Sequence, residues 1–279
     1  MPKVMLGTTV VHYDRTGEGP ALLLLHGTAA SREQWGPLTA RATGFTVLAP
    51  DFPGSGLTTD DGGAITVEAL AAQAEAVLDH AGAERAHVVG HSLGAVVAAH
   101  LAGTRPERVR TAVLHAAWPA TDTWQDAEFR LWLDLLETGS FARLLPLMAF
   151  GPRYWDQATT ESNEQLVKTL DTVIQPGADR QIETDRTVDL RPVLGKITAP
   201  VLVLGSAHDR LITADQQREL VAAIPDARAA EIDAGHGAPA ELPDEFARVV
   251  LEYVTSGGSP RGRGLRDPEP PKEFVSAAS

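Results

Sequence analysis

The chain has 279 residues, 43% of them hydrophobic, enough for one large globular domain with a sizeable core or one domain carrying an insertion. It contains no cysteine, which excludes disulfides, thiolate nucleophiles and cysteine metal sites and leaves no sign of an oxidising compartment. Its net charge of −13 repels phosphate backbones and argues against a nucleic-acid partner.

The N-terminal stretch Met1–Gly7 lacks the apolar core of a signal peptide, and the run Ala21–Leu25 is a strand's worth rather than a membrane span. The cytoplasm is the expected location, without membrane association. Thr8–Tyr13 reads as a strand that ends in the turn Thr16–Pro20. Ala21–His26 reads as a strand buried on both faces, and Gly44–Pro50 as the next, running into the turn-rich loop Asp51–Gly56. The spacing of Val67, Leu70, Ala74, Val77 and Leu78 predicts a helix over Thr66–His80. A strand at Ala86–Val89, a helix from Ala95 to Ala102 and a strand at Val109–His115 follow. Strands alternating with helices predict a mostly parallel, doubly wound sheet of the α/β class.

From about Pro119 to Leu194 the periodicity turns helical, with Phe129, Trp132, Leu133 and Leu136 and then Leu144, Leu145 and Met148 at helical spacing. Strands at Pro200–Gly205 and Ala227–Ile232 and helices at Thr213–Ala223 and Asp244–Tyr253 complete the core. The expected division is a core over 1–118, a helical insertion over 119–195, the second part of the core over 196–255 and a disordered tail over 256–279, rich in Gly, Pro and charge.

Gly90-His91-Ser92-Leu93-Gly94 lies between the Ala86–Val89 strand and the Ala95–Ala102 helix. A serine flanked by glycines at such a junction reads as a nucleophile elbow, with Oγ lifted clear of the sheet and a helix N-terminus aimed at the reaction site. A serine hydroxyl needs a base, and the base needs an orienting acid. Of nine histidines, His12, His87 and His115 lie on strands, His80 ends a helix, His100 packs on the elbow helix, and His91 neighbours the serine but is directed away from it. His236 sits in the loop after the last strand, where active-site groups of open α/β sheets collect, and is the expected base. Asp209, in the loop after the Val201–Leu204 strand, is the expected acid, with Asp122 the second candidate. Asp215 fits a helix cap and Asp233 lies too close to His236. Two oxyanion donors are expected: Leu93 N–H after the serine, and Thr28 N–H in the loop His26-Gly27-Thr28-Ala29, where Thr28 Oγ1 could add a third bond.

In order and spacing, His26-Gly27, Asp51…Gly54-Ser55-Gly56, the elbow pentapeptide, Asp209 and Gly235-His236…Glu241-Leu242-Pro243 resemble the α/β-hydrolase superfamily over residues 4–255. The nearest likeness is to its small esterase, cofactor-free haloperoxidase and lactonase branch. A serine at position 92 separates it from the branches whose nucleophile is aspartate. The resemblance implies an α/β-hydrolase fold with a helical cap after the sixth strand. It implies a Ser92–Asp209–His236 triad that cleaves a small ester, thioester or lactone with an apolar part through an acyl-enzyme. A lyase or cyclase, or a ligand-binding protein with a vestigial triad, are the alternatives on the same fold. No cofactor or metal is expected: there is no dinucleotide fingerprint, phosphate-loop lysine or metal-spaced cluster. Four of the five tryptophans, Trp118, Trp124, Trp132 and Trp155, fall between residues 118 and 155. Trp118, just past the strand ending at His115, is the expected lining of an apolar substrate pocket under the cap, with Trp124 and Trp132 more structural.

Overall fold

A computed structural model describes residues 1–258, and the expected tail lies outside the described residues save for its first three. Eight strands form one sheet: β1 (Lys3–Leu6), β2 (Thr9–Thr16), β3 (Ala21–Leu25), β4 (Thr46–Pro50), β5 (Ala86–His91), β6 (Val109–His115), β7 (Val201–Ser206) and β8 (Ala227–Ile232). Their order is β1-β2-β4-β3-β5-β6-β7-β8. β1 and β2 pair antiparallel at one edge, and from β4 onward every pair is parallel. The edge strand β1, implied by the place of the cap after a sixth strand, has no residue pattern of its own in the sequence. Its residues are almost all exposed, so it shows no burial pattern to read.

The sheet has a core on each face, which explains why its central strands are apolar throughout. Along β3, Leu23 and Leu25 enter one core, while Leu22 and Leu24 enter the other. β7 alternates likewise, with Val201 and Val203 on the first face and Leu202 and Leu204 on the second. Helices Val67–His80 and Leu93–Thr104 cover the first face, and Pro243–Thr255 the second, through Phe246, Val250 and Tyr253. Helix Leu93–Thr104 is buried on nearly every side, which its small residues Ala95, Ala98, Ala99 and Ala102 permit.

β3 is flanked by β4 on one side and β5 on the other, so the chain reverses direction across the sheet at this point. Such a switch opens a crevice at the carboxyl ends of the strands, the favoured ligand position in open α/β sheets. Between β6 and β7 six helices are inserted: Thr123–Glu137, Phe141–Ala149, Pro152–Gln157, Thr160–Val173, Ala178–Arg186 and Arg191–Leu194. The neck of this insertion is a short antiparallel contact. Thr121 N–H donates to Val188 O at 2.9 Å, and Leu190 N–H to Pro119 O at 2.7 Å, around the bridge of Ala120 with Asp189. No helix of the described residues is long and apolar enough to cross a membrane.

Candidate active site

β5 turns into helix Leu93–Thr104 at Ser92, whose φ of 54° and ψ of −123° are backbone angles a non-glycine residue rarely adopts. Strain of this kind costs about 1–3 kcal/mol and persists only where the surroundings over-determine it. Here Ser92 N–H is fixed to His115 O at 3.0 Å. The two glycines of the pentapeptide are required by close approach. A Cβ on Gly90 would lie 2.2 Å from Gly94 O, and one on Gly94 would lie 2.0 Å from Leu25 O. The elbow helix is thereby pressed against the ends of β3 and β5.

Asp209 follows β7, and His236 follows β8. His236 Nδ1 donates to Asp209 Oδ2 at 2.9 Å, while Asp209 Oδ1 accepts the amides of Leu211 and Ile212, each at 2.9 Å. Burial pushes the Asp209 carboxyl up. The His236 charge and hydrogen bond, with those two amides, outweigh burial and hold it below the ordinary carboxylate value. With Nδ1 engaged, Nε2 is the free nitrogen of the ring. The His236 ring lies 5.0 Å from that of His91, the residue preceding Ser92, so the imidazole stands alongside the elbow. Ser92 and His236 are 6% and 8% exposed, so both groups are largely withdrawn from bulk water. The loop bearing His236 is pinned from both sides. Glu241 Oε2 accepts Gly235 N–H at 2.8 Å and Gly151 N–H, from the inserted helices, at 2.9 Å.

The other acids have different occupations. Asp122 caps helix Thr123–Glu137, accepting Gln125 N–H at 2.8 Å in a capping box. Asp215 is exposed and pairs with Arg218, and Asp233 pairs with His208 at 3.0 Å. Asp51 is a structural hub: it pairs with Arg32 and accepts the amides of Arg32 and Leu57 at 2.8 and 3.0 Å, closing the loop after β4.

The loop after β3 faces the elbow. A Cβ on Gly27 would lie 3.2 Å from Ser92 Cβ, so this backbone runs in contact with the serine. His26 organises the loop: Nδ1–H donates to Gly27 O at 2.8 Å and Nε2 accepts Phe52 N–H at 2.9 Å. Burial pushes the His26 pKa down to about 4, which suits a ring that needs a bare Nε2. Among the described residues, neither Thr28 N–H nor Leu93 N–H donates to a protein acceptor. For Leu93 this is the ordinary condition of a first helical residue. Thr28 Oγ1 has a different use from the third oxyanion bond considered above, since it donates to Asp185 Oδ2 at 2.6 Å.

Several groups at the site carry no sequence motif. His91 Nδ1 and His115 Nδ1 lie 2.8 Å apart, and His115 Nε2 is 3.0 Å from Ser206 Oγ. His91, expected to be directed away from the serine, is buried between His115 and His236, its ring 5.0 Å from each of theirs. Burial pushes the His115 pKa down to about 3, with the His236 charge adding to it. On the inserted helices, burial pushes the Glu128 carboxyl up to about 7, against the pull of the neighbouring Trp132 N–H and the His236 charge, while the Asp209 charge adds to the rise. The pairing of His91 with His115 is visible only once β5 and β6 are in register.

Trp118 is fully buried. Its Nε1–H donates to Thr121 Oγ1 at 2.9 Å, and its ring packs 6.1 Å from Phe129, itself 5.2 Å from Trp132. Trp124 is 52% exposed, and Trp155 donates to Phe150 O at 3.3 Å.

Residues 20–241 match the family model described as alpha/beta hydrolase fold. The chain is 34% identical to the pyrrolizixenacetamide deacetylase of Xenorhabdus hominickii, over 93% of this chain and 100% of that protein. It is 31% identical to the pimeloyl-[acyl-carrier protein] methyl ester esterase of Xanthomonas campestris pv. campestris, over 88% of this chain and 99% of that one. In structure it resembles MGS-M2, an alpha/beta hydrolase enzyme from a Medee basin deep-sea metagenome library. The TM-score is 0.85 at 20% identity, covering 91% of this chain and 97% of that one.

Proposed function

The chain belongs to the alpha/beta hydrolase fold family, a hydrolase lineage, and on that premise we propose that it is a serine hydrolase cleaving a small carboxylic ester, thioester or lactone with an apolar part. The observation that supports this reading is the strained Ser92, next to a His91 ring 5.0 Å from the Asp209-bonded His236, with the Thr28 and Leu93 amides left without a protein acceptor among the described residues.

The chemistry follows from those groups. His236 Nε2 takes the Ser92 proton as Oγ attacks the acyl carbon, and Asp209 steadies the resulting imidazolium. The amides of Thr28 and Leu93 stabilise the oxyanion. His236 returns the proton to the leaving group, an acyl group stays on Ser92, and water activated by the same histidine releases the acid. No step calls for a cofactor. The relatives' names extend the range at one end, since one is a deacetylase of an acetamide and another a methyl ester esterase. An acetamide therefore belongs in the substrate panel beside short esters.

Trp118 borders the acyl pocket in this reading, at the carboxyl edge of β6 where the inserted helices leave the sheet. Glu128, whose carboxyl responds to the charges of His236 and Asp209, offers a hydrogen-bonding group on the cap side of the site.

The experiment is turnover of short p-nitrophenyl esters by the parent chain and by Ser92→Ala. The expected result is hydrolysis by the parent and a loss on the order of 10⁴-fold or more in the variant, with its fold retained. Normal turnover by a folded Ser92→Ala protein would exclude the mechanism.

A further inference from the structure

The inserted helix Ala178–Arg186 descends onto the loop after β3 with two buried side chains one turn apart, Gln181 and Asp185. Gln181 is fully buried. Its Oε1 accepts Ala29 N–H at 2.9 Å, and its Nε2 donates to Pro53 O at 2.8 Å and Ser55 Oγ at 2.9 Å. Asp185 is 1% exposed and accepts Thr28 Oγ1–H at 2.6 Å, while its other carboxyl oxygen is buried without a partner among the described residues. Burial pushes the Asp185 carboxyl well above its ordinary value, against the opposing pull of the Thr28 hydrogen bond. Thr184 adds a third tie, its Oγ1 donating to Ile65 O at 2.7 Å.

These bonds have a direction. Ala29 has φ of 57°, a left-handed conformation that a residue with a Cβ holds only under constraint. Gln181 takes up the Ala29 N–H, and Ala30 N–H returns to Gly27 O at 3.2 Å. Asp185 fixes the Thr28 side chain on the side of the insertion. What remains free in this turn is Thr28 N–H, in a backbone that touches Ser92. The constraint that aims this amide thus comes from residues more than 150 positions further along the chain.

We propose that Gln181 and Asp185 are positioning residues for the oxyanion hole: by holding the Ala29 amide and the Thr28 side chain, the inserted helix fixes Thr28 so that the Gly27–Thr28 peptide presents its N–H to the tetrahedral intermediate. Chemistry is then coupled to the seating of the cap. A cap lifted off this loop releases Ala29 from its left-handed conformation and turns the donor away, whatever the state of the triad. The inference rests on Thr28 N–H being an oxyanion donor, as read above.

The test uses the full chain and two readouts, steady-state kinetics on p-nitrophenyl acetate and inhibition by a trifluoromethyl ketone, which forms a tetrahedral adduct with the serine. Gln181→Ala and Asp185→Ala are expected to lower kcat at least tenfold with KM changed less than threefold, and to weaken the ketone by a factor similar to the loss in kcat. Asp185→Asn, which keeps an acceptor for the Thr28 hydroxyl in a side chain of the same shape, is expected to recover most of kcat. Thr28→Val removes the same bond from the other side and serves if the alanine variants fail to fold; it is expected to show the same loss of kcat and of ketone affinity. Folded Gln181→Ala or Thr28→Val proteins with a lower Tm but parental kcat and ketone affinity would reduce the helix to a structural clamp and overturn the proposal. Turnover that survives Ser92→Ala would overturn the serine reading and this inference together.

Discussion

At the scale of single residues, the site combines groups that cost stability with contacts that hold them in place. Ser92 sits at strained angles because its amide, the close-packed Gly90 and Gly94 and the elbow helix leave it no alternative. Asp209 stays ionised despite burial because four hydrogen-bonding or charge interactions outweigh desolvation. Asp209→Asn is therefore expected to cut kcat/KM by orders of magnitude, since it donates to His236 where an acceptor is needed. Asp122→Asn, at an exposed helix cap that tolerates either side chain, is expected to be nearly silent. Kinetics on the two variants check the assignment, and a reversal of these effects would move the acid to position 122.

The buried histidines set a pH dependence of stability. His26 and His115, with pKa values pushed down to about 4 and about 3, are neutral in the folded chain at a pH where an unfolded histidine is protonated. Between about pH 6.5 and those values the unfolded state binds more protons, so stability rises with pH there and is lost on acidification. Each such group contributes a slope of about 1.4 kcal/mol per pH unit. Urea midpoints at pH 7 and pH 5 should show a steep fall for the parent and a shallower one for His115→Gln. Equal slopes would mean that His115 does not carry the linkage.

At the scale of elements, the sequence revealed which segments exist better than which face which. The elbow, the loop after β3 and the loop carrying His236 were legible because glycine marks each of them. The helices of the insertion were legible from the spacing of Phe129, Trp132 and Leu136. The fall of helix Ala178–Arg186 onto Thr28 and Ala29 was not, because partners so far apart in sequence leave no local pattern. The same holds for His91 and His115, which meet across two strands. Trp124 sits at helical spacing yet is half exposed, since spacing assigns a face but not its burial. Trp118 tests the element as a unit, filling the neck of the insertion between Thr121 and Phe129. Trp118→Ala is expected to lower stability by about 3–5 kcal/mol, the usual range for removing a buried large aromatic ring. If the ring also borders the pocket, the ratio of kcat/KM between short and long acyl esters shifts more than tenfold, about 1.4 kcal/mol of differential transition-state binding. A fall in Tm with an unchanged ratio would leave Trp118 as packing alone.

At the scale of the whole molecule, the topology brings the site together. Ser92 follows β5, Thr28 follows β3, Asp209 follows β7 and His236 follows β8, so one end of one sheet gathers segments that are far apart in the chain. The parallel core was readable from continuous apolar runs, because strands buried on both faces need them. β1 was unreadable for the opposite reason, as an exposed edge strand buries too little to leave a pattern. The central claim is that an acyl group passes through Ser92. It is tested most directly by quenching the enzyme with acid during turnover of p-nitrophenyl acetate and locating the modification by peptide mass spectrometry. The account predicts one acetyl group, on the peptide containing Ser92, and none on that peptide in Ser92→Ala. Sustained turnover with Ser92 unmodified, or acetylation of another residue that tracks the rate, would contradict it.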